Sequence, residues 1–245
     1  MSAVLIIGGT DSSGGAGLAR DLRTLTELDT VALCAVTAVT AQSDEGLRAC
    51  EVMPAELVRA QIEAAFATRA VGAVKIGMLA NAATVRAVAD ALAPHPEVPL
   101  VLDPVLRSTS GAQLLEEGGR AVLMERLLGR AALLTPNLAE AATLLHCPVA
   151  TTETQALEQA RQLLARGARA VLLKGGHANG PESVDLLLWQ ERAERLSAPR
   201  IAATLRGTGC ALASAIAVYL AQGIALSAAC ARAKDYVSAL LRAPR

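Results

Sequence analysis

Aromatic residues are scarce in this chain of 245 residues. Phe66, Trp189, Tyr219 and Tyr236 are the whole set, which is too few for the stacking platform of a protein that binds single-stranded nucleic acid. Net charge is absent too, since 23 lysines and arginines balance 23 aspartates and glutamates. A balanced chain offers no electrostatic attraction to a polyanion. We therefore expect no nucleic-acid partner.

Long apolar runs and cysteine pairs are also missing. The longest uncharged apolar runs, Val31 to Ala41 and Ala211 to Ala221, have 11 residues each, short of the roughly 20 that cross a bilayer. Met1 to Gly9 has no lysine or arginine before its apolar stretch, which indicates a first strand and not a signal peptide. The five cysteines include no C-x-x-C pair, which favours free, buried thiols over disulfides or zinc. We expect a cytoplasmic protein with no membrane segment.

Apolar residues, by contrast, are abundant. Hydrophobic side chains make up 53% of the chain and charged ones 19%, which excludes disorder and favours elements buried on more than one side. Short β-rich runs alternate with helical segments, a pattern typical of a parallel sheet with helices on both faces. Ser183 to Trp189 and Glu194 to Leu196 have no helix between them and predict a small antiparallel edge. We expect one domain, residues 1–245, with a three-layer α/β fold.

The predicted elements can be given by their bounds. The parallel strands are Ala3 to Ile7, Val31 to Val39, Ala73 to Met78, Leu100 to Asp103, Ala132 to Thr135 and Ala170 to Lys174. The helices are Gly17 to Leu28, Glu56 to Thr68, Ala83 to Leu92, Leu138 to Leu145, Thr154 to Ala165, Cys210 to Gln222 and Leu226 to Leu241.

Unusual polar and glycine residues follow the predicted strands directly. They include the loop from Gly8 to Gly17, Gly77, Asp103, Asn137 and Lys174. Ligands of an open parallel sheet bind outside the carboxyl ends of its strands. We therefore expect these residues to line one edge of the sheet.

The glycine-rich loop from Gly8 to Gly17 connects a strand to a helix, where backbone N–H groups can meet a small ligand or a phosphate. Counted from Gly15, the dinucleotide fingerprint G-x-G-x-x-G/A fails because its last position is Arg20. A Walker loop is excluded because no lysine follows a glycine. The alternative is a tight turn with no ligand.

A second glycine motif, Gly207-Thr208-Gly209-Cys210, opens a helix that is apolar on all faces and therefore buried. A buried helix start leaves N–H groups unsatisfied, and the two glycines would let a phosphoryl group approach them. The helix dipole should also lower the pKa of the Cys210 thiol, so that it is partly thiolate. The alternative is a buried structural cysteine, which is how we interpret Cys34 and Cys230.

Acidic residues near strand ends predict a magnesium site. Asn137 and Glu140 lie three apart at a helix start, and a carboxylate with an amide there suits a hydrated magnesium ion. Asp103 ends an apolar strand, where a charge is costly unless it has a partner. The alternative for Asn137 and Glu140 is a capping box. His177 lies in a glycine turn and fits an exposed loop histidine better than a base.

Together, these segments resemble the hydroxymethylpyrimidine/phosphomethylpyrimidine kinases of thiamine biosynthesis, within the ribokinase-like superfamily. The resemblance covers nearly the whole chain, and its motifs are specific in combination although none is specific alone. They are Gly9-Thr10-Asp11 with Ser13-Gly14-Gly15-Ala16-Gly17, Ala38-Val39-Thr40-Ala41-Gln42, Lys75-Ile76-Gly77-Met78-Leu79, Leu102-Asp103-Pro104-Val105, Thr135-Pro136-Asn137-Leu138-Ala139-Glu140-Ala141, Lys174-Gly175-Gly176-His177 and Gly207-Thr208-Gly209-Cys210.

The resemblance implies transfer of the γ-phosphoryl group of ATP to the hydroxymethyl oxygen of 4-amino-5-hydroxymethyl-2-methylpyrimidine, then a second transfer onto the monophosphate. It implies that Gln42 bonds the aminopyrimidine edge, that Asp21 accepts from the ring or hydroxyl, and that Gly9 and Met78 line the pocket. Cys210 takes the position of the aspartate base of sugar kinases. A modest base suffices because phosphoryl transfer depends mainly on positioning and charge stabilisation.

On the nucleotide side, the resemblance implies that Asp103 and Glu140 order Mg²⁺. Lys174, with Asn137 and Thr208, would meet the nucleotide, and the backbone of Gly207, Gly209 and Cys210 would hold the transferring group. Dimers occur in the family, which implies a possible homodimer.

Several positions depart from the pattern of the resembled family. Ser12 replaces a proline, Ser43 replaces the asparagine after Gln42, and Arg206 replaces a histidine before the glycine motif. Ala19-Arg20 likewise replaces Gln-Ala.

Two other functions stay open. A pyridoxal or pyridoxine kinase of the same superfamily is the first, and Gln42 argues against it because an amide pairs with both a ring nitrogen and an exocyclic amine. A non-catalytic pyrimidine-binding protein is the second. The presence of Asp103, Glu140, Lys174 and Cys210 argues against that one.

Overall fold

The computed structural model describes residues 3–43, 45–108, 110–176, 180–203 and 205–243. Its elements, in chain order, are β1 (Ala3–Gly9), α1 (Gly17–Glu27), β2 (Ala32–Ser43), β3 (Gly46–Val52), α2 (Ala55–Thr68), β4 (Val71–Ile76), α3 (Ala82–Leu92), β5 (Leu100–Leu102), α4 (Glu117–Arg126), β6 (Leu133–Leu134), α5 (Leu138–Leu145), α6 (Glu153–Ala165), β7 (Ala170–Lys174), β8 (Glu182–Trp189), β9 (Arg192–Pro199), α7 (Thr208–Ala221) and α8 (Leu226–Arg242). Among these described helices, none is both long and apolar enough to cross a membrane.

The strands form a nine-stranded sheet in the order β3-β2-β1-β4-β5-β6-β7-β8-β9. From β2 to β7 the neighbouring strands are parallel, whereas β3 pairs antiparallel with β2, and β8 and β9 form an antiparallel pair beside β7. The predicted parallel core and the antiparallel edge at β8 and β9 are therefore confirmed.

Two hydrophobic cores lie on opposite faces of the sheet, and β1 contributes to both. Successive side chains of a strand point to opposite faces. Leu5 and Ile7 accordingly pack in one core with helices α2 to α6. Val4 and Ile6 pack in the other with α1, α7 and α8. The predicted arrangement of three layers is confirmed.

Helix α7 positions the second glycine motif. Its residues from Ala211 to Val218 are all buried, which its uniformly apolar sequence predicted. It packs across β1, β4 and β5. This packing brings the N-terminus of α7 to the carboxyl ends of the parallel strands.

Two elements, β3 and α4, are absent from the sequence-based prediction. β3 is mostly exposed, from Arg48 to Glu51, so it shows no hydrophobic alternation. α4 has glycines in its first turn, which are unfavourable in helices. A Cβ at Gly119 would lie 3.1 Å from the carbonyl carbon of Asn81, so the close approach of α4 to the start of α3 requires this glycine.

The expectation of buried thiols is only partly correct. Cys230 is buried and all five cysteines are free, but Cys34 and Cys50 are exposed. Burial was wrongly predicted for Cys34 because its apolar neighbours suggest a central strand. β1 is buried at every position, whereas β2, one strand nearer the sheet edge, is only partly covered.

Candidate active site

A cleft of about 1580 Å³ runs along the carboxyl ends of the parallel strands. The loop after β1, the end of β2, the segments after β4 to β7 and the start of α7 all line it. The expected convergence at one edge is found, and every sequence-predicted site residue lines this cleft. These are Gly9, Asp21, Gln42, Met78, Asp103, Asn137, Glu140, Lys174, Gly207, Thr208, Gly209 and Cys210.

One wall of the cleft is formed by Gly9 and Met78. A Cβ at residue 9 would lie 2.8 Å from the sulfur of Met78, so the methionine side chain fits only against glycine. Thr37 Oγ1 donates a 2.6 Å hydrogen bond to the Met78 carbonyl and fixes its backbone. This wall is apolar and suits a flat ring.

Gln42 stands beside this wall at the end of β2. Its backbone N–H donates to Ser12 Oγ at 2.8 Å, and its carbonyl accepts from the same hydroxyl at 2.7 Å. Its side-chain amide hydrogen-bonds to none of the described residues. The backbone is therefore held while the amide stays available to a ligand.

A buried ion pair lies beneath the cleft. Lys75 Nζ on β4 donates to Asp21 Oδ2 at 2.8 Å, and both side chains are 1% exposed. Ser214 Oγ on α7 donates to the other oxygen of Asp21 at 2.8 Å. Burial opposes the charge of Lys75, but Asp21, and then Cys210 and Asp103, outweigh burial and raise its pKa above the ordinary value. Lys75 is a fixed positive charge.

This pair changes the expected surroundings of Asp21. Both of its carboxylate oxygens accept hydrogen bonds from the protein. Its predicted contact with the substrate ring or hydroxyl stays a prediction. What the structure does show is that Asp21 joins α1 to β4 and α7.

A second ion pair lies at the ends of β5 and β7. Lys174 Nζ donates to Asp103 Oδ1 at 2.7 Å, and Thr135 Oγ1 donates to the same oxygen at 3.2 Å. A Cβ at Gly209 would lie 3.2 Å from Lys174 Nζ, so the ammonium group packs directly against the second glycine motif. Lys174 thus carries positive charge to the start of α7.

Glu140 and Asn137 form the capping box of α5. Asn137 Oδ1 accepts from the Glu140 N–H at 2.8 Å, and Glu140 Oε2 accepts from the Asn137 N–H at 2.8 Å. The structural alternative is therefore present, and it leaves Glu140 facing the cleft. Burial, with a smaller contribution from Asp103, raises the pKa of Glu140 to about 7 against the lowering effect of Lys174. The two carboxylates carry more negative charge than Lys174 offsets.

The start of α7 lacks a side-chain cap. Gly207, its N-cap residue, has a φ of 77° and makes no side-chain cap hydrogen bond. A Cβ at residue 207 would collide with the carbonyl oxygen of Gly15, so glycine is required for its conformation and for its space. The first turn of α7 lines the cleft, and its N–H groups have no side-chain cap.

The predicted low pKa of the Cys210 thiol is wrong. Burial raises the pKa of Cys210 to about 11, and the Lys75 ammonium and the Gly17 backbone N–H offset burial only in part. The free site therefore holds Cys210 as a neutral thiol at pH 7. The sequence shows the helix start that favours a thiolate, but not how closely the surrounding layers enclose the sulfur.

Other residues at the site were not predicted. Lys75 has the same signal as Lys174, a lysine in an apolar strand, and this signal was sufficient to find it. Asp11 and Arg206 form a salt bridge of 3.0 Å across the cleft edge, and nothing in the sequence indicates that pairing. His177 lies outside the described residues.

The cleft thus offers a lysine paired with one of two carboxylates and a helix N-terminus without a side-chain cap on one side, with an apolar wall and a free amide on the other. A helix N-terminus with a lysine suits a phosphoryl anion, and carboxylates suit the metal ion that accompanies nucleotide phosphates. The fold and the site define a small-molecule kinase of the layered α/β type.

The chain belongs to the phosphomethylpyrimidine kinase family, whose model matches residues 11–244. It is a kinase, and ATP is its co-substrate. It is 43% identical over 245 residues to the hydroxymethylpyrimidine/phosphomethylpyrimidine kinase of Rhizobium meliloti, with 99% of this chain and 92% of that protein covered.

Solved structures agree on the ribokinase-like fold. The phosphomethylpyrimidine kinase of Clostridium difficile superposes with a TM-score of 0.86 at 32% identity, covering 99% of this chain and 100% of that one. An ADP complex of Bacillus subtilis pyridoxal kinase superposes with a TM-score of 0.89 at 30% identity, covering 98% and 91%.

Proposed function

We propose that this chain transfers the γ-phosphoryl group of ATP to the hydroxymethyl oxygen of 4-amino-5-hydroxymethyl-2-methylpyrimidine, and then phosphorylates the monophosphate to the diphosphate. The observation that carries this proposal is the order of groups along the cleft. In the sheet order, Gln42 at the end of β2 and Met78 after β4 lie toward one side, and Glu140 after β6 and Lys174 at the end of β7 lie toward the other. Helix α7 packs on β1, β4 and β5 between them.

The pyrimidine end recognises the substrate by shape and by hydrogen bonding. The Gly9 and Met78 wall would contact the ring face, and the Gln42 amide would pair with the ring nitrogen and the exocyclic amine. An amide carries both an acceptor and donors, which matches that edge.

At the centre, the substrate oxygen bonds to the γ-phosphorus while the bond from that phosphorus to the β,γ-bridging oxygen breaks, and ADP leaves with the bond's electron pair. The hydroxyl proton passes to Cys210 Sγ, which must first have lost its own proton to solvent, so that one proton is released in each transfer. The N–H groups of Thr208, Gly209 and Cys210, with the Lys174 ammonium, would stabilise the phosphoryl charge.

The residues at the nucleotide end fit a magnesium ion. Mg²⁺ keeps several waters and takes one or two carboxylates together with substrate phosphates. Burial and the Asp103 carboxylate raise the pKa of Glu140, which is the electrostatic situation that a divalent cation relieves. Asp103 and Glu140 would hold it, and bound magnesium would neutralise charge on the nucleotide phosphates.

Magnesium dependence is the first testable consequence. Asp103→Asn and Glu140→Gln keep the size of each side chain and remove its negative charge. We expect the magnesium concentration for half-maximal activity to rise about 10-fold or more in each variant, because a ligand charge is lost. Titrating activity with magnesium at saturating ATP measures this shift.

Asp90→Asn is the matched control, since Asp90 pairs with Arg126 at the surface at 2.6 Å and lies away from the cleft. If both cleft variants titrate like the parent and the control, Asp103 and Glu140 have only structural roles.

Pyridoxal phosphorylation is the second candidate, since pyridoxal kinases superpose as well as the pyrimidine kinase does. Gln42 separates the two, because it can pair with an aminopyrimidine edge and a pyridoxal ring lacks that edge. The third function considered from the sequence, a non-catalytic pyrimidine-binding protein, is set aside because the chain belongs to a kinase family. Measuring ADP release with ATP, magnesium and each alcohol in turn distinguishes the two kinase activities.

Gln42→Leu is the direct test of pyrimidine recognition. The change leaves polar atoms of the bound substrate unpaired, so we expect pyrimidine affinity to fall by about 1–3 kcal/mol, with ATP affinity unchanged. Calorimetric titrations with each ligand measure both affinities.

The control for this test is Gln162→Leu, which makes the same substitution at an exposed position of α6. Equal pyrimidine affinity in the parent and in Gln42→Leu would remove Gln42 from the recognition site.

The remaining expectations concern the whole chain. One domain over residues 1–245 and a cytoplasmic location agree with the continuous sheet and the five free cysteines. A homodimer would cover the edge formed by β2 and β3, where Val39 is 47% exposed. Light scattering in solution measures the assembly state.

A further inference from the structure

Arg206 connects the second glycine motif to the glycine-rich loop after β1. It lies directly before Gly207, and its guanidinium group reaches back across the cleft edge. Its Nη2 donates to Asp11 Oδ2 at 3.0 Å, and its Nη1 donates to Ser13 Oγ at 2.9 Å and to the Ser43 carbonyl at 3.3 Å. One side chain thus ties its own segment to two others, the loop after β1 and the end of β2.

Asp11 is the centre around which the glycine-rich loop folds. Its Oδ1 accepts from the Ser13 N–H at 3.0 Å and from the Ser13 hydroxyl at 2.8 Å, and its Oδ2 accepts from the Ala16 N–H at 2.9 Å. The Asp11 side chain is 2% exposed. A carboxylate buried this far requires a cation, and Arg206 supplies it.

The same loop holds Gln42, the residue proposed to recognise the substrate. Ser12, next to Asp11, hydrogen-bonds to both the N–H and the carbonyl of Gln42. Ser43, next to Gln42, accepts from Arg206 directly. Contacts therefore run without interruption from Gln42, through Ser12 and Asp11, to Arg206.

Backbone packing continues this path to the reaction centre. Gly207 lies so close to the Gly15 carbonyl that no side chain fits there, and the Arg206 side chain itself packs against Gly15. Gly207 is the N-cap of α7, and Cys210 is in its first turn. The position of the pyrimidine end is thus linked mechanically to the position of the phosphoryl end.

We propose that Arg206 is a positioning residue for phosphoryl transfer. It holds the substrate bound by Gln42 at the correct distance and orientation from Cys210 and the start of α7. This inference rests on the proposed function. Ser12, Ser43 and Arg206 all belong to this network. A guanidinium is needed because its planar fork can serve three acceptors at once, which an ammonium group cannot do in the same geometry.

Positioning predicts a particular pattern of kinetic change. Loss of Arg206 would free the two loops relative to each other, so the hydroxymethyl oxygen would be misplaced at the transition state. A misplacement of about 1 Å can cost roughly 100-fold in rate. Lys174 and Asn137, two of the predicted nucleotide contacts, are held by Asp103 and by the capping box of α5, so nucleotide affinity should change much less than kcat.

The experiment compares Arg206→Met with Arg206→Lys and Asp11→Asn. For Arg206→Met we expect kcat to fall about 10-fold to 100-fold, the KM for the pyrimidine to rise, and ADP affinity to stay within about twofold. Arg206→Lys should recover part of the loss. The double variant with Asp11→Asn should be no worse than the worse single variant, because both changes break one network.

Arg130→Met is the matched control. Arg130 also ties chain segments together, through hydrogen bonds of 2.7 and 2.8 Å to the carbonyls of His95 and Val98, but it does not line the cleft. This variant should lose stability without any change in kcat or KM. If Arg206→Met also loses stability with no change in kcat or KM, Arg206 has only a structural role and the proposal is overturned.

Hydrogen exchange provides a readout that is independent of substrate. Arg206→Met and Asp11→Asn should speed amide exchange both in residues 11–16 and in residues 207–210, and Arg130→Met should do neither. Unchanged exchange in either segment would refute the coupling, whatever the enzyme phosphorylates. A parent protein that fails to phosphorylate the pyrimidine would instead refute the proposed function, so the two failures are distinguishable.

Discussion

Replacing Cys210 with alanine is expected to lower turnover of the pyrimidine alcohol by about 10²–10⁴-fold, the usual contribution of a positioned proton acceptor. The reactive form is the thiolate, and burial raises the pKa of this thiol to about 11. The thiolate fraction, and with it the rate of the parent enzyme, should therefore rise with pH between about 7 and 10. The variant should lose this rise. Steady-state assays of ADP formation across that pH range measure both effects.

Two further variants sharpen the test of Cys210. Cys50→Ala is the control, because Cys50 is an exposed cysteine on β3. Cys210→Asp supplies a carboxylate at the same position and should retain partial activity with a flatter pH dependence. If Cys210→Ala turns over within about tenfold of the parent, proton removal by the thiol does not limit the reaction. The backbone N–H groups at the start of α7 would then be the catalytic contribution of the motif Gly207-Thr208-Gly209-Cys210.

Lys75→Met is expected to lower the free energy of unfolding by about 3–5 kcal/mol, the usual cost of leaving a buried charge without its partner. Asp21 would be that charge, since it is 1% exposed and has Lys75 as its ion-pair partner at 2.8 Å. Urea denaturation followed by circular dichroism measures the loss.

The double variant Lys75→Met with Asp21→Asn separates charge from packing. It removes both charges, so it should recover much of the stability that Lys75→Met loses. A loss below about 1 kcal/mol in Lys75→Met would show that the pair is not charged in the folded protein.

The layered sheet could be predicted because its signals are local. Apolar strands followed by amphipathic helices require cover on both faces, and the residues after the strands meet at one edge whatever the details of packing. β3 and α4 were not predicted, for opposite reasons. β3 is exposed and lacks a pattern, whereas α4 contains glycines that make sense only beside the start of α3.

The sequence could predict which residues line the site, but not their pKa values or their ion pairs. Each predicted site residue that follows a strand lines the cleft, as its position at the end of a parallel strand indicates. The pKa of Cys210 depends on its burial among the neighbouring layers and on Lys75, and neither is visible from the helix start that suggested a thiolate. The salt bridge between Asp11 and Arg206 joins residues far apart in sequence, so only the folded chain reveals it.

The most direct measurement of the central claim is the product formed when the protein is incubated with excess ATP, magnesium and the aminopyrimidine alcohol, in parallel with pyridoxal. We expect mass spectrometry to show the pyrimidine monophosphate first and the diphosphate later, with two molecules of ADP formed for each diphosphate, and with pyridoxal phosphorylated much more slowly. Exclusive phosphorylation of pyridoxal, or binding of the pyrimidine with no phosphorylated product, would contradict the account.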